Sequence, residues 1–445
     1  MTKRDNHEDM STQPSDVEES QPRPEAAQLN EDESPSDGRW RWVVCLGVFV
    51  VNFLTVGQQN SAGVVYDALM EEYSTPRGET AWVASLASSM MYLFAAVGTY
   101  LAERYGSRIV VIPQASSPAP LRQRFKPLYL TYGVVWGLGA SLGLFPSIVI
   151  LTKYFRRRLA LASGIALAGA ASGGLVYGPI IEMLSSKFGI STTFRILAGL
   201  QSLMLLSALA FGPVTMVTGT NQQQSNRRFD LSIFNNKAYI IWVVGQCTFM
   251  VVFLVPFVHL VCFAEDKGVS KTDASLLTGF MSIGGVLGSL LFGALCDYPR
   301  FNRLKVCPAA VLFIGISTSA VTVATRYEWI SVYAFAFGVF DGCYEMLLPV
   351  ITRDLVGVHQ VGHAIGALYC LMAFPKTIGP PMVGWIFDAS KCYSISFYVT
   401  GGVAMLAAVI MFTLNWIKPV NLVEDRERLL PSEETEGSRK TLLYT

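Results

Sequence analysis

The stretch WISVYAFAFGVFDGCYEMLLPVI, residues 329–351, is long and apolar enough to cross a lipid bilayer as one helix. Asp341 lies near its middle, and Glu345 follows one helical turn later on the same face. Since a charge at mid-depth costs about 2.5–3.5 kcal/mol on insertion scales, both side chains are expected to face the interior of a helical bundle. They either belong to a substrate pathway or form an interhelical bond that only holds the bundle together.

Long apolar runs recur along the rest of the chain. Of its 445 residues 51% are hydrophobic, and the charged 15% gather in the tails and short loops. This composition predicts an all-α, polytopic membrane protein embedded in the lipid bilayer. Apolar runs of about 18 residues or more predict eleven spans, which lie near 42–66, 80–102, 128–152, 159–181, 194–213, 238–263, 273–296, 306–325, 329–352, 362–388 and 395–417.

The sequence lacks the motifs of several other protein classes. It contains no Gly-rich phosphate loop in a strand-helix context, no metal-ligand cluster and no soluble domain to hold one. We therefore expect no enzyme activity, no cofactor and no bound metal. The net charge of +1 gives no indication of a nucleic-acid partner.

The loops rich in lysine and arginine predict that both tails lie in the cytosol. Two cytosolic tails require an even number of spans, whereas eleven are found. The segment 113–127 stands where another span is needed, but its prolines break helical hydrogen bonding. Its basic residues Arg122, Arg124 and Lys126 are also too costly at mid-depth. A spliced or mispredicted exon, or a strained fold, would explain this segment.

Two loops at corresponding points of the two halves carry an acid followed by bases. The first contains Glu103, Arg104 and Arg108, and the second contains Asp297 and Arg300. The pair resembles the loop motif of the major facilitator superfamily, which implies two helical half-bundles around a substrate site. We expect these five side chains to form a cytosolic gate that breaks when the carrier opens inward. As simple positive-inside anchors they would have no such role.

Two further motifs make the resemblance more specific, from the superfamily to one family within it. Residues 37–42 place tryptophans before the first span, and residues 154–173 join Tyr-Phe and bases to a Gly/Ala-rich helix that can pack closely. In this order they are similar to the two signatures of the monocarboxylate transporter family, whose third helix is replaced here by segment 113–127. Composition predicts a disordered acidic tail (1–36) and a disordered C-terminal tail (419–445). The resemblance implies an N-terminal half-bundle (37–213), a cytosolic linker (214–237) and a C-terminal half-bundle (238–418).

The C-terminal half is most similar to family members that carry aromatic amino acids and iodothyronines. The similarity rests on motifs that include residues 255–260 and 340–343. It implies that His259 and Asp341 lie at the substrate site.

Three positions depart from the proton-coupled members of the family. Asn60 stands where those members have a lysine, and Gly285 and Ser289 stand where they have an aspartate and an arginine. Lys376 lies near the middle of its span and offers a replacement cation. Our hypothesis is that Lys376 neutralises one of the two carboxylates in the empty carrier and binds the substrate carboxylate in the loaded one. A static buried ion pair is the alternative.

We expect a plasma-membrane transporter that moves monocarboxylates or related small organic anions by alternating access. The loss of the family lysine at Asn60 favours facilitated diffusion over obligate proton symport. The alternatives are an aromatic amino acid or iodothyronine facilitator and a non-transporting truncated isoform or scaffold. The family resemblance adds a proton and a single-span accessory glycoprotein as candidate partners.

Overall fold

The structure is a computed structural model that describes residues 40–73, 77–105, 128–155, 158–204, 207, 210–211, 231–298, 300–358, 360–390 and 393–416. Within these ranges the chain folds almost wholly into helices, and ten candidate spans are long and apolar enough to cross a membrane. They coincide with ten of the eleven predicted spans. The eleventh, 194–213, is described as a helix as far as Gln201. Segment 113–127 and both predicted tails lie outside the described residues.

The helices fall into two consecutive sets. The N-terminal helices are α1 (Trp40–Asn60), α2 (Ala62–Tyr73), α3 (Arg77–Leu93), α4 (Ala95–Tyr105), α5 (Gly137–Tyr154), α6 (Leu159–Phe188) and α7 (Ile190–Gln201), with a π-helix (Tyr129–Trp136) leading into α5. The C-terminal helices are α8 (Lys237–Phe253), α9 (Val255–Asp266), α10 (Lys271–Leu295), α11 (Arg303–Ala320), α12 (Tyr327–Val356), α13 (Val361–Ser390) and α14 (Tyr393–Phe412). Short 3-10 helices lie at Leu231–Asn235, Val321–Val323 and Thr413–Trp416.

Three of the predicted spans are each divided into two helices, at Ser61, Phe94 and Leu254. The division at Leu254 has a local cause, because Pro256 has no N–H to donate to a preceding carbonyl. α9 therefore begins with a proline in its first turn, where a missing N–H costs little. The division at Ser61 ends α1 at Asn60, earlier than the predicted end at residue 66.

One end of the bundle carries several lysine and arginine side chains. The ring of Trp42, near the start of α1, lies 5.2 Å from the ring of Phe155, which follows α5. Arg41, Lys153 and Arg158 lie at the same end, which we call the basic end. Helix α1 therefore starts at the basic end, and α5 runs towards it.

The last described turn also lies at the basic end. Asn415 donates a hydrogen bond to the Leu304 carbonyl at the start of α11, over 3.3 Å. The neighbouring Arg303 contacts Asp297, which is bonded to the first turn of α6 after Arg158. Both described ends of the chain are thus on one side of the bundle, as an even number of crossings requires.

Helices α4 and α5 run in the same direction. A Cβ built on Gly133 would lie 2.8 Å from a methyl carbon of Leu86, and one built on Gly98 would lie 3.0 Å from the Ser141 carbonyl. Since α5 runs towards the basic end, α4 ends there too. The π-helix at Tyr129 therefore starts at the opposite end of the bundle from the end of α4.

Helices α6, α10 and α12 approach one another backbone to backbone through small residues. A Cβ built on Gly338 of α12 would lie 2.0 Å from the Met281 carbonyl oxygen of α10. On the other side of α10, a Cβ built on Gly164 of α6 would lie 2.1 Å from the Ser289 carbonyl oxygen. In a bilayer, where lipid is as apolar as a leucine side chain, such close packing is a main source of helix association.

The same packing explains two departures from the family pattern. A Cβ built on Gly285 would already lie 3.3 Å from the Cβ of Ala171 on α6, and the Ser289 side chain is fully buried. Across from them, a Cβ on Gly342 would lie 2.5 Å from the Gly285 carbonyl oxygen. An aspartate at 285 and an arginine at 289 would each require the neighbouring helices to shift.

We predict that Gly338→Ala destabilises the protein, although alanine favours a helix over glycine by about 0.5–1 kcal/mol. The added methyl group forces α10 and α12 apart, and such overpacking costs about 1–3 kcal/mol. Thermal unfolding of the purified protein in detergent measures the effect. Gly402→Ala in α14 is the matched control, since a Cβ there meets no atom within 4 Å. Equal unfolding temperatures for the two variants would contradict the close packing.

Candidate functional site

A small chamber lies between the N-terminal and the C-terminal helices. Its volume is about 60 Å³, and its walls come from α1, α3, α5 and α6 on one side and from α8, α12 and α13 on the other. Since one water needs on the order of 10–15 Å³ of such space, the chamber holds only a few waters in this form. The polar side chains of its lining are Asn52, Tyr92, Ser163, Glu345 and Tyr369.

Glu345 is the charged residue of the chamber lining. It lies on α12 one turn before Pro349, which also lines the chamber. Across the described part of the chain, its carboxylate makes neither a hydrogen bond nor an ion pair. A carboxylate that is open to a cavity and has no protein partner is suited to receive a donor group from a solute.

Asp341 lies one turn earlier on α12 and is more deeply enclosed. Its side chain is 8% exposed, and its Oδ1 atom has no hydrogen-bond partner among the described residues. It is absent from the chamber lining, although it lies within electrostatic range of Glu345 and Lys376. The sequence therefore predicted the burial of both carboxylates, whereas the chamber is lined by Glu345.

Lys376 lies on α13 and is 4% exposed. Its Nζ atom is 3.7 Å from the centroid of the Tyr92 ring on α3, which is a cation–π contact between the two sets of helices. Lys376 is within electrostatic range of Asp341 and Glu345, yet none of the ion pairs of the described residues joins it to either acid. The ring of Tyr92 is thus the partner that the sequence analysis missed.

Two other predicted site residues lie away from the chamber. His259 is on α9, where its ring lies 5.8 Å from that of Tyr393. Asn60 is the exposed last residue of α1 and lies against Gly174 of α6. Of the five residues predicted for the substrate pathway, the structure places Glu345 in the chamber lining and Asp341 and Lys376 close to it.

At the basic end, Asp297 of the C-terminal helices binds the start of α6. Its Oδ1 and Oδ2 atoms accept hydrogen bonds from the backbone N–H groups of Ala160 and Leu161, at 3.0 and 2.9 Å. A carboxylate is favoured there by the partial positive charge of the helix N-terminus. Burial raises the pKa of the Asp297 carboxyl above its ordinary value, although these hydrogen bonds and the nearby Arg303 and Arg158 act to lower it.

Arginines extend this contact. Arg303 pairs with Asp297 at 3.3 Å and with Asp354 at 3.1 Å. Arg353 donates to the Phe155 carbonyl oxygen at 2.6 Å, which again joins the C-terminal to the N-terminal helices. We call the bonds of Asp297, Arg303, Asp354 and Arg353 the basic-end contact.

The predicted gate residues have different positions. Asp297 is part of the basic-end contact, whereas Arg300 is exposed. Arg104 is exposed and donates to the Tyr100 hydroxyl at 3.2 Å. The Glu103 side chain and Arg108 lie outside what the structure describes.

The structure brings in Arg303, Arg353 and Asp354, which the sequence analysis did not assign to the gate. Arg303 lies in a basic run, and Arg353 and Asp354 follow the span that contains Glu345. Their proximity depends on the start of α11 lying beside the end of α12, which no local pattern of the sequence shows.

Comparisons with known proteins agree with this architecture. The model of the Major Facilitator Superfamily matches residues 48–262 and 241–436. The chain belongs to the Major Facilitator Superfamily. The solved structure of the proton:xylose symporter XylE bound to 6-bromo-6-deoxy-D-glucose is 13% identical and aligns with a TM-score of 0.63, covering 86% of this chain and 96% of that chain. This similarity confirms the predicted superfamily fold.

Relatives within the superfamily are monocarboxylate transporters. Monocarboxylate transporter 10 of Danio rerio is 27% identical over 427 residues, which cover 90% of this chain and 85% of the relative. Monocarboxylate transporter 4 of Rattus norvegicus is 26% identical over 429 residues, which cover 89% of this chain and 91% of the relative. The predicted resemblance and the predicted function as a transmembrane transporter are confirmed.

We predict that Arg303→Ala loosens the basic end, whereas Arg300→Ala does not. Arg303 joins two carboxylates and is partly buried, while Arg300 is exposed. The readout is the rate at which maleimide labels a Ser163→Cys reporter in the chamber, measured from the basic side of membrane vesicles. A several-fold faster rate is expected for Arg303→Ala alone. Equal rates for both variants would remove Arg303 from the contact that closes this end.

Proposed function

We propose that this chain moves small organic carboxylates across the plasma membrane by alternating access, with the chamber as its substrate site. Both tails and the basic end would face the cytosol, as the positive-inside rule predicts. The observation that carries the proposal is the position of the chamber, which lies between the N-terminal and the C-terminal helices with polar groups supplied from both sides. In transporters built from two repeated halves, substrates are held at such an interface.

The basic-end contact would be the cytosolic gate. It joins the C-terminal helices to α6 through the carboxylate of Asp297 and to Phe155 through Arg353. Because these bonds cross between the two sets of helices, they have to break before the chamber can open at this end. The gate predicted from the sequence is thus proposed again, with Asp297 at its centre and Arg303 in place of Arg300.

At the opposite side of the chamber, α3 and α13 close the path. Ser89 and Thr377 share a hydrogen bond between their hydroxyl groups, and Lys376 beside Thr377 lies over the ring of Tyr92. Tyr369, two turns nearer the basic end on α13, lines the chamber. The contact would therefore lie on the external side of the substrate.

Lys376 is the charged group near the chamber that favours a substrate with a carboxylate. Lys376 would provide the cation for that group, since an ammonium held by a ring can exchange the ring for an anion at lower cost than one held in a full ion pair. With neutral Asn60 at the end of α1, we propose facilitated diffusion and not obligate proton symport.

Glu345 favours a second candidate, a solute that carries an amino group besides its carboxylate. An ammonium would satisfy the open Glu345 carboxylate, and the rings of Tyr92 and Tyr369 in the lining would contact an apolar side chain. This candidate corresponds to the amino-acid-like substrates considered from the sequence.

We predict that Lys376→Met lowers the uptake of a simple carboxylate, and that Glu345→Gln lowers the uptake of a solute with an amino group, each by at least about tenfold, since tenfold corresponds to only about 1.4 kcal/mol of binding free energy. The measurement is the uptake of a panel of labelled short-chain carboxylates and aromatic amino acids into cells, normalised to surface protein. A solute that needs Glu345 for its amino group loses uptake in Glu345→Gln, whereas a simple carboxylate loses it in Lys376→Met.

The control variants change the same residue types at exposed positions, Glu328→Gln at the start of α12 and Lys305→Met at the start of α11. Both are expected to transport normally. Undiminished uptake by Glu345→Gln and Lys376→Met at normal surface level would overturn the proposed site.

A further inference from the structure

The ammonium group of Lys376 rests on an aromatic ring although two acids lie near it. Its Nζ atom is 3.7 Å from the centroid of Tyr92, and both Asp341 and Glu345 are within electrostatic range. A buried lysine beside acids is expected to form an ion pair with one of them, because an uncompensated buried charge is costly. No such pair is present among the described residues, and the ammonium lies over the ring instead.

The ring belongs to the opposite set of helices from the lysine and both acids. Tyr92 is on α3, whereas Lys376 is on α13 and the acids are on α12. The ring therefore reaches Lys376 only while α3 and α13 are together. A second bond marks this closure, because Ser89, almost one turn before Tyr92, is hydrogen-bonded to Thr377, the residue after Lys376.

With Lys376 over the Tyr92 ring, neither acid has the lysine as a partner. The Oδ1 atom of Asp341 is buried without a partner, and Glu345 faces the chamber with no bond to any side chain in the described ranges. If Lys376 turned towards them, one acid would gain a partner and the chamber would lose its open carboxylate.

We propose that Tyr92 is a positioning residue for Lys376. While the chamber is closed on the external side and holds no solute carboxylate, the Tyr92 ring holds the ammonium and leaves Glu345 free for an amino group of the solute. When α3 and α13 separate, the ring leaves and Lys376 turns to the acids of its own set of helices. The inference deepens the proposed function, on which it rests, by assigning a state to each position of the lysine.

The test weakens the electrostatic attraction of the ring at position 92 for the Lys376 ammonium. Tyr92 is replaced by phenylalanine and then by mono-, di- and trifluorinated phenylalanine, which keep the shape of the ring while weakening its attraction for a cation. The reporter is Ser163→Cys in the chamber, in a full-length chain with Cys262→Ser and Cys392→Ser, labelled with a membrane-impermeant maleimide from the external side. No transported solute is needed.

A stepwise rise in the labelling rate is expected, about tenfold from phenylalanine to its trifluorinated form, because a weaker ring contact favours the externally open state. The rise should disappear in Lys376→Met, where no ammonium is left to be held. The matched control is the same series at Phe145, whose ring contacts those of Tyr92 and Tyr369. At Phe145 no stepwise change is expected.

Two results would overturn the inference: a labelling rate that stays constant along the series at Tyr92, or a rise that persists in Lys376→Met. Neither result depends on uptake. The proposed function can therefore fail in the uptake experiment while the role of Tyr92 stands, and the reverse can also occur.

Discussion

The backbone contact of α10 with α6 on one side and with α12 on the other is the constraint on which the rest of this transporter depends. Helices that meet through glycines at Gly164 and Gly338 leave no room for side chains between them. α12 is thereby fixed in rotation, and its acidic face is directed to the chamber and to α13. The family aspartate and arginine at Gly285 and Ser289 would need this packing to loosen, and the charges near the chamber come from α12 and α13.

Much of the fold follows from the sequence alone. Apolar length predicts ten of the candidate spans because a bilayer imposes the same requirement on every crossing helix. The divisions at Ser61 and Phe94 were not predicted, since neither residue forbids a helix. At Ser61 the hydroxyl donates a hydrogen bond to the Gly174 carbonyl of α6, a contact between helices that no local pattern shows. The parallel course of α4 and α5 is likewise a tertiary fact, visible in the contact of Gly98 with Ser141 and in no local pattern.

The sequence predicts which charged residues are enclosed, but not which of them lines the chamber or which partner each contacts. The cost of a charge in lipid indicates that Asp341, Glu345 and Lys376 are enclosed, and the structure encloses all three. Distances of a few ångströms between separate helices decide which groups face a cavity. They also decide which partner a buried lysine contacts. The pairing of Lys376 with a ring is hidden in the sequence because an aromatic residue in a span is ordinarily a packing residue. The role of Arg303 could not be predicted for a similar reason, since the sequence does not distinguish it from the other bases of the same run.

The small size of the chamber has a consequence for what can cross. A solute enclosed in a space for only a few waters has to leave almost all of its hydration shell behind, and every charge it carries then needs a replacement from the walls. The walls offer one open carboxylate, two phenolic rings, one amide and one hydroxyl. Sulfate would find only a few hydroxyl and amide donors there in place of its water shell, and the Glu345 carboxylate would repel it. Dehydration itself would then act as a selectivity filter, and it would disfavour strongly hydrated inorganic anions before any question of shape arises.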